Sequence, residues 1–245
     1  TRSGIRERHI VETGMAASVW LFFASQQGKY IPGKFGNLLI KYRFLKDREA
    51  GLKTVTSVFL VEQGLSLLAG VLLVGAYFGL GAVLDSFGVA AVSLIGPLHY
   101  GGLALSVAAS YLCWRGFRST NKYLKVLIFY GTGWMLFTAA VSVFIYGCSA
   151  SLDIGYARSL ELSWMYSASV IAGFLSIIAP AGMGVREVAF SYLISKRIAD
   201  PDLLLVGVMI RSWTVAAELV LTGLSYLAFR HTLQGGKPGE EEGKG

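Results

Sequence analysis

Three long apolar segments constrain this chain more than any other feature of its sequence. They cover 54–79, 126–148 and 203–228, and each holds more than 20 residues with at most two charged side chains. A helix of about 20 apolar residues crosses the roughly 30 Å hydrocarbon core of a bilayer. Only 15% of all residues are charged, against about 25% in a soluble domain. The sequence therefore predicts an all-α polytopic membrane protein.

The composition excludes several other classes of protein. Two cysteines cannot build a disulfide framework, and three widely spaced histidines give no metal-ligand pattern, so we expect no metal site. The chain has no Gly-rich nucleotide-binding loop and no nucleophile elbow, so we expect neither a cofactor nor an enzyme. The net charge of +7 does not indicate nucleic acid, because the basic residues collect in loops between apolar segments, as in cytoplasmic loops.

Two further apolar stretches are interrupted by proline and glycine. The stretch 10–46 breaks at Pro32 and Gly33, and the stretch 164–194 breaks at Pro180. We predict a re-entrant helical hairpin in each, within a helical bundle. The remaining predicted parts of a single transmembrane domain at 1–232 are the full spans 54–79, 93–114, 126–148 and 203–229, and a disordered tail follows at 233–245.

The two interrupted stretches follow one pattern, which indicates an internal repeat. The chain advances 148 residues from Pro32 to Pro180, and 149 residues from Thr54 to Leu203, where the following long helices begin. Three spans lie between the two copies. With the basic loops in the cytoplasm, this odd number inverts the second copy relative to the first, as in many secondary transporters. In the alternative interpretation, 164–194 is one kinked span.

Polar groups in and beside the two breaks are the candidate binding residues. Half-helices beginning after Gly36 and Gly184 would point unpaired N–H groups toward the membrane interior, an arrangement that favours anions. Arg186 adds a guanidinium that can hold phosphate. Charged groups in spans cost about 2.5–3.5 kcal/mol each and should face the interior, as substrate ligands or as structural ion pairs. The predicted substrate-binding residues are Lys34, Gly36, Glu62, Gly182, Gly184, Arg186, Glu187, Arg211 and Glu218, with Pro32, Gly33 and Pro180 as structural breaks.

Two short elements of the sequence resemble a known family. They are Lys29-Tyr30-Ile31-Pro32-Gly33-Lys34 and Pro180-Ala181-Gly182-Met183-Gly184-Val185-Arg186-Glu187, with Glu62 between them. Together they resemble the transmembrane domain of lysylphosphatidylglycerol synthases and related stand-alone flippase-like membrane proteins, over about residues 10–230. The resemblance implies lipid handling in the cytoplasmic (inner) membrane of a prokaryote. Because the sequence begins with Thr1 and shows no secretory signal pattern, we expect a chain truncated at its N-terminus, without one or two upstream helices of the family pattern.

The expected function is therefore a multi-pass lipid flippase for an anionic, phosphate-bearing lipid. Its expected partner is a membrane phospholipid or a lipid-linked head group. The main alternative is a lipid-docking domain or accessory subunit of an aminoacyl- or glycosyl-transferase, which would add a transferase partner or a homo-oligomer. A more distant alternative is an ion-coupled carrier of small solutes. Translocation needs access from both faces, and two opposed breaks would provide it.

Overall fold

The computed structural model of the protein describes residues 15–31, 35–46, 51–86, 91–115, 121–148, 154–176, 179–197 and 203–235. These residues form eight α-helices and two short 3-10 turns, without strands, so the predicted all-α class is confirmed. The helices are α1 (Met15–Gln27), α2 (Phe35–Lys46), α3 (Leu52–Ser86), α4 (Ala91–Arg115), α5 (Lys122–Gly147), α6 (Tyr156–Leu175), α7 (Val185–Arg197) and α8 (Leu203–Gly235).

Three helices are long and apolar enough to cross a membrane, which is the pattern of a multi-pass membrane protein. Among the residues described above, the qualifying segments are Leu52–Leu84, Lys122–Gly147 and Leu205–His231. Their apolar side chains largely point outward, as Val58 (61% exposed) and Val143 (63% exposed) illustrate. Such an outward-facing apolar surface suits a hydrocarbon solvent and would be unfavourable in water. The fourth predicted span, 93–114, lies in α4, which is not one of the three.

The chain divides into two compact units. The terminal unit comprises residues 1–58 and 212–245, and the central unit comprises residues 59–211. Each unit contains one pair of packed helices separated by a short break. The pair is α1 with α2 in the terminal unit, and α6 with α7 in the central unit.

Backbone contact between two glycines closes the helix pair of the terminal unit. Gly28 opens the 3-10 turn Gly28–Tyr30, and Gly36 lies in the first turn of α2. A Cβ atom on Gly28 would lie 2.3 Å from the backbone of Gly36, and one on Gly36 would lie 2.2 Å from the Gly28 oxygen. No side chain fits at either position. Three residues predicted at this break lie outside the described residues, namely Pro32, Gly33 and Lys34.

Aromatic rings attach the last part of α8 to this pair. The Trp20 ring of α1 stacks on Phe229 of α8, with centroids 5.1 Å apart and an interplanar angle of 12°. The same Trp20 ring lies 5.5 Å from the Phe44 ring of α2. Each such pair stabilises packing by about 0.5–1.5 kcal/mol beyond the area that it buries. One tryptophan thus joins three helices of the terminal unit.

Helix α6 is the core helix of the central unit, and its buried side is lined with serine. It packs against α4, α5 and α7. Ser159, Ser163 and Ser167 are fully buried at intervals of four residues, and each hydroxyl donates to a carbonyl of its own helix. The Ser167 hydroxyl is also 2.9 Å from the Thr138 hydroxyl of α5. Small side chains let the helix backbones approach closely, as is common in membrane interfaces.

Helix α3 packs on the central unit through aromatic side chains. The Trp134 ring of α5 fits against Gly70 of α3, where a Cβ atom would lie 2.6 Å from the ring. The indole N–H of Trp134 donates to the Ser66 carbonyl at 3.0 Å. Tyr77 of α3 stacks on Trp164 of α6 with centroids 4.7 Å apart. The absence of a side chain at Gly70 of α3 thus leaves room for the Trp134 ring of α5.

The helix before the second break begins earlier than the predicted stretch 164–194. Helix α6 starts at Tyr156, eight residues before Trp164. In the sequence, the charged residues Asp153, Arg158 and Glu161 indicate a polar loop that ends at Trp164. The structure instead has a helix from Tyr156, and its serines Ser159 and Ser163 satisfy their hydroxyls locally, so their burial costs little. At about 1.5 Å per residue, a helix of 20 residues spans about 30 Å.

The closure of the terminal pair gives a stability prediction. Gly28→Ala should destabilise the protein by about 1–3 kcal/mol, because the methyl group would overlap backbone atoms that cannot rotate away. Gly75→Ala in α3 is the matched control, since no atom lies within 4 Å of its new Cβ and Ala favours a helix. The unfolding temperature in detergent measures both effects. Equal unfolding temperatures for the two variants would contradict the close glycine contact.

Candidate functional site

The candidate site lies at the break between α6 and α7 in the central unit. The chain leaves α6 at Leu175, passes through the 3-10 turn Pro180–Gly182, and enters α7 at Val185. The turn satisfies part of its own backbone, because Gly182 N–H donates to the Ala179 carbonyl and Met183 N–H to the Pro180 carbonyl, both at 3.0 Å. Pro180 therefore does mark the break, at the start of this turn.

Three residues of the break have positive φ angles. They are Ala181 at 50°, Gly182 at 70° and Gly184 at 82°. Glycine adopts such angles without steric cost, whereas a Cβ atom makes them unfavourable. Ala181 is the one described non-glycine residue in this conformation, and it is buried. The surrounding contacts must therefore hold this backbone in place.

The break folds back onto the last turns of α6, and Arg186 passes through the same contact. A Cβ atom on Gly182 would lie 2.7 Å from the Gly173 Cα atom. A Cβ atom on Gly173 would lie 2.3 Å from Cγ and 2.7 Å from Nε of Arg186. The Arg186 side chain thus crosses the α6 backbone where α6 lacks a side chain, and its Nε atom is buried. Gly173 is what leaves room for it.

Glu187 closes the N-terminal end of α7. Its Oε2 atom accepts a hydrogen bond from the Gly184 N–H at 2.7 Å, while the Gly184 carbonyl accepts from Val188 N–H at 2.9 Å. Gly184 is therefore the N-cap residue, and Glu187 supplies the carboxylate half of a capping box. The other carboxylate oxygen, Oε1, lies 3.5 Å from Nε of Arg211 in α8. A backbone donor and a guanidinium meet at one carboxylate.

Five of the predicted site residues therefore come together in the central unit. The prediction placed an anion between the start of α7 and Arg186. In the structure, the Glu187 carboxylate lies at this helix end, and the Arg211 guanidinium contacts it. Arg186 instead packs along Gly173. The five residues are Gly182, Gly184, Arg186, Glu187 and Arg211.

Three other predicted residues, Gly36, Glu62 and Glu218, lie elsewhere and have other partners. Gly36 belongs to the closure of α1 on α2. Glu62 of α3 forms a side-chain hydrogen bond with Tyr130 of α5. Glu218 of α8 forms an ion pair with Lys29 and accepts a hydrogen bond from the Tyr30 hydroxyl at 2.9 Å.

The Glu218 cluster is the polar centre of the terminal unit. Lys29 and Tyr30 stand in the turn after α1, and their side chains contact the two different oxygens of the carboxylate. One turn along α8, the Thr222 hydroxyl accepts a hydrogen bond from the Gln27 side chain at 2.9 Å. The Lys29 and Glu218 side chains are both partly buried. A carboxylate inside an apolar segment thus obtains a cation and a neutral donor.

Sequence reasoning did not select three residues that the structure makes important. Lys29 and Tyr30 adjoin the Pro32 break, and a carboxylate in an apolar span needs a cation, so their pairing with Glu218 had a signal in the sequence. Gly173 had none. A glycine in an apolar helix is common, and its contact with Arg186 depends on how the break folds.

The break carries several groups that are able to contact anions. Arg186 and Arg211 carry planar guanidinium groups, which suit phosphate and carboxylate oxygens. The first turn of α7 adds backbone N–H groups and the positive end of a helix dipole. In the described segments, no group of three or more His, Cys, Asp or Glu side chains could hold a metal ion. No known protein family, curated protein or solved structure matches the chain.

The Lys29–Glu218 ion pair gives a second stability prediction. Lys29→Met should destabilise the protein by about 1–2 kcal/mol, because it leaves the Glu218 charge in an apolar segment without its cation. The double variant with Glu218→Gln should recover part of this loss. Lys53→Met, at an exposed position of the same unit, should change stability by less than about 0.5 kcal/mol. Chemical denaturation of the unmodified protein, Lys29→Met, Glu218→Gln and their double variant gives the coupling free energy, and strictly additive effects would argue against the pair.

Proposed function

We propose that this protein is a lipid flippase of a prokaryotic cytoplasmic membrane, and that it handles an anionic, phosphate-bearing lipid head group. The supporting observation is the meeting of the Gly184 N–H and the Arg211 guanidinium at a single carboxylate. Donors that hold two carboxylate oxygens also suit two oxygens of a phosphate diester, since both present paired acceptors with negative charge.

The position of Arg211 supports a functional role for this donor set. Arg211 lies in the apolar segment Leu205–His231, where a charge costs about 2.5–3.5 kcal/mol on insertion scales. Such a charge persists in a protein when it pairs with another group or serves a ligand. Glu187, at 3.5 Å, is such a partner for the Arg211 charge. The negative charge of a bound phosphate would be an equally suitable partner.

The similar organisation of the two units supports translocation rather than binding alone. Each unit has a helix, a break closed by two glycines, and a second short helix, followed in the chain by a long apolar helix. From the first unit to the second, the closing glycines advance by 145 residues (Gly28 to Gly173) and by 146 residues (Gly36 to Gly182). These offsets are three and two residues shorter than the 148 residues from Pro32 to Pro180, and we propose that the two breaks belong to one repeat. An inverted repeat is a common basis for access from both membrane faces.

Leaflet exchange tests the proposal. In proteoliposomes with fluorescent phosphatidylglycerol, the unmodified protein should move label between leaflets faster than protein-free liposomes, and faster than it moves labelled phosphatidylcholine. Arg186→Ala and Arg211→Gln should each slow exchange by about tenfold or more, because a hydrogen bond to a charged group contributes about 1.5–3 kcal/mol. Arg186→Lys should slow exchange less, since it keeps the positive charge and loses only the paired N–H donors of the planar guanidinium.

Arg158→Ala is the matched control for these variants. Arg158 is exposed in the first turn of α6, so the change removes a guanidinium of the same unit away from the break. Its exchange rate should equal that of the unmodified protein. If Arg186→Ala and Arg211→Gln both exchange lipid at the unmodified rate, the site assignment is wrong. Lipid binding without any exchange would favour a docking domain of a transferase.

A further inference from the structure

We infer that Glu187 is a tethered competitor of the substrate: its carboxylate occupies the donors that the anionic head group takes, and it leaves them when the head group binds. This inference rests on the anion site proposed for the central unit. It assigns to Glu187 a role in setting the affinity of the site, and it names the phosphate group as the chemistry that displaces it.

Both carboxylate oxygens of Glu187 are engaged. Oε2 accepts from the Gly184 N–H at 2.7 Å, and Oε1 lies 3.5 Å from Nε of Arg211. A capping box requires only the first of these contacts. The second recruits a guanidinium from α8, a different helix, so the carboxylate sits where donors from two elements converge. The protein's own anion thus takes the place of an external one.

The surroundings of Glu187 allow it to leave. Its side chain is 37% exposed, so rotation of the side chain alone can carry the carboxylate away from α7. Beside the donor, a Cβ atom on Gly184 would meet no atom within 4 Å. The Cβ side of Gly184, at the start of α7, is therefore open.

Such a competitor suits a site that must release its ligand. When the head group is absent, the Glu187 carboxylate stays beside the Arg211 guanidinium, so this cation keeps a charged partner in an apolar segment. When the head group is bound, the nearby carboxylate can return and favour release. The measured affinity of the site is lowered by the fraction of time in which Glu187 covers the donors.

Three variants test this inference in purified protein in detergent, with inorganic phosphate and dihexanoyl phosphatidylglycerol as separate titrants in a calorimeter. Glu187→Gln removes the charge. Glu187→Asp keeps the charge but shortens the side chain, so the contact with Gly184 is lost. Both should bind the titrants more tightly, by about tenfold if the carboxylate covers the donors roughly nine-tenths of the time. Glu161→Gln in α6 removes one charge from the same unit and should bind as the unmodified protein does.

Each other outcome overturns the inference. Tighter binding by Glu187→Gln alone would indicate general charge repulsion, because Glu187→Asp retains that charge. Unchanged binding by both would make Glu187 a helix cap and ion-pair partner only. Weaker binding by both would make it a direct ligand of the substrate, and binding by none of the proteins would remove the anion site.

The two titrants also separate the sources of phosphate. If the Glu187 variants bind inorganic phosphate and the lipid more tightly, the phosphate group is the shared determinant. If they bind only the lipid more tightly, the site recognises a phosphate within a lipid. Either result supports the competitor. The binding result is independent of transport. If both variants bind more tightly but the unmodified protein exchanges no lipid between leaflets, the competitor is retained and the flippase is rejected. If the unmodified protein exchanges lipid but both variants bind with unchanged affinity, the flippase is retained and the competitor is rejected.

Discussion

The contact of one glycine backbone with another is the interaction on which both helix pairs depend. Gly28 meets Gly36, and Gly182 meets Gly173, at distances that leave no space for a Cβ atom. Backbone N–H and C=O groups at a helix end lose their partners within the helix, so a buried break needs other cover from the protein. Close glycine contact achieves this cover within each unit. It also sets where the following helix begins, and hence where its capping residue and its dipole lie.

The charged side chains near the two breaks are also paired with other groups of the protein. Glu218 is held by Lys29 and Tyr30, and Glu187 by Gly184 and Arg211. In both clusters a residue at or beside the break pairs with a residue of α8. The carboxylate belongs to α8 in the terminal unit and to the helix pair in the central unit. Among the described residues, both of these charged clusters therefore lie at or beside a break, whereas large apolar side chains such as Val58 and Val143 are exposed on the long helices.

Much of the helical pattern could be predicted from the sequence, because hydropathy and helix-breaking residues act locally. The run 54–79 lies within α3, and Pro180 begins the turn before α7. Pairings were harder to predict. That Glu218 needs a partner follows from its position, but that Lys29 supplies it depends on packing. The position of Arg186 has the same cause, since its packing over Gly173 is a contact that no local pattern encodes.

The serine-lined side of α6 bears on how such a chain is assembled during synthesis. A translocon admits each helix to the bilayer according to its transfer free energy, and buried hydroxyls make α6 a weaker candidate than α3, α5 or α8. Its Ser167 hydroxyl finds a partner in Thr138 of α5, and α5 emerges from the ribosome first. If α6 enters the bilayer, the order of the helices in the chain lets α5 receive it, so the two would be inserted as a pair rather than one after the other.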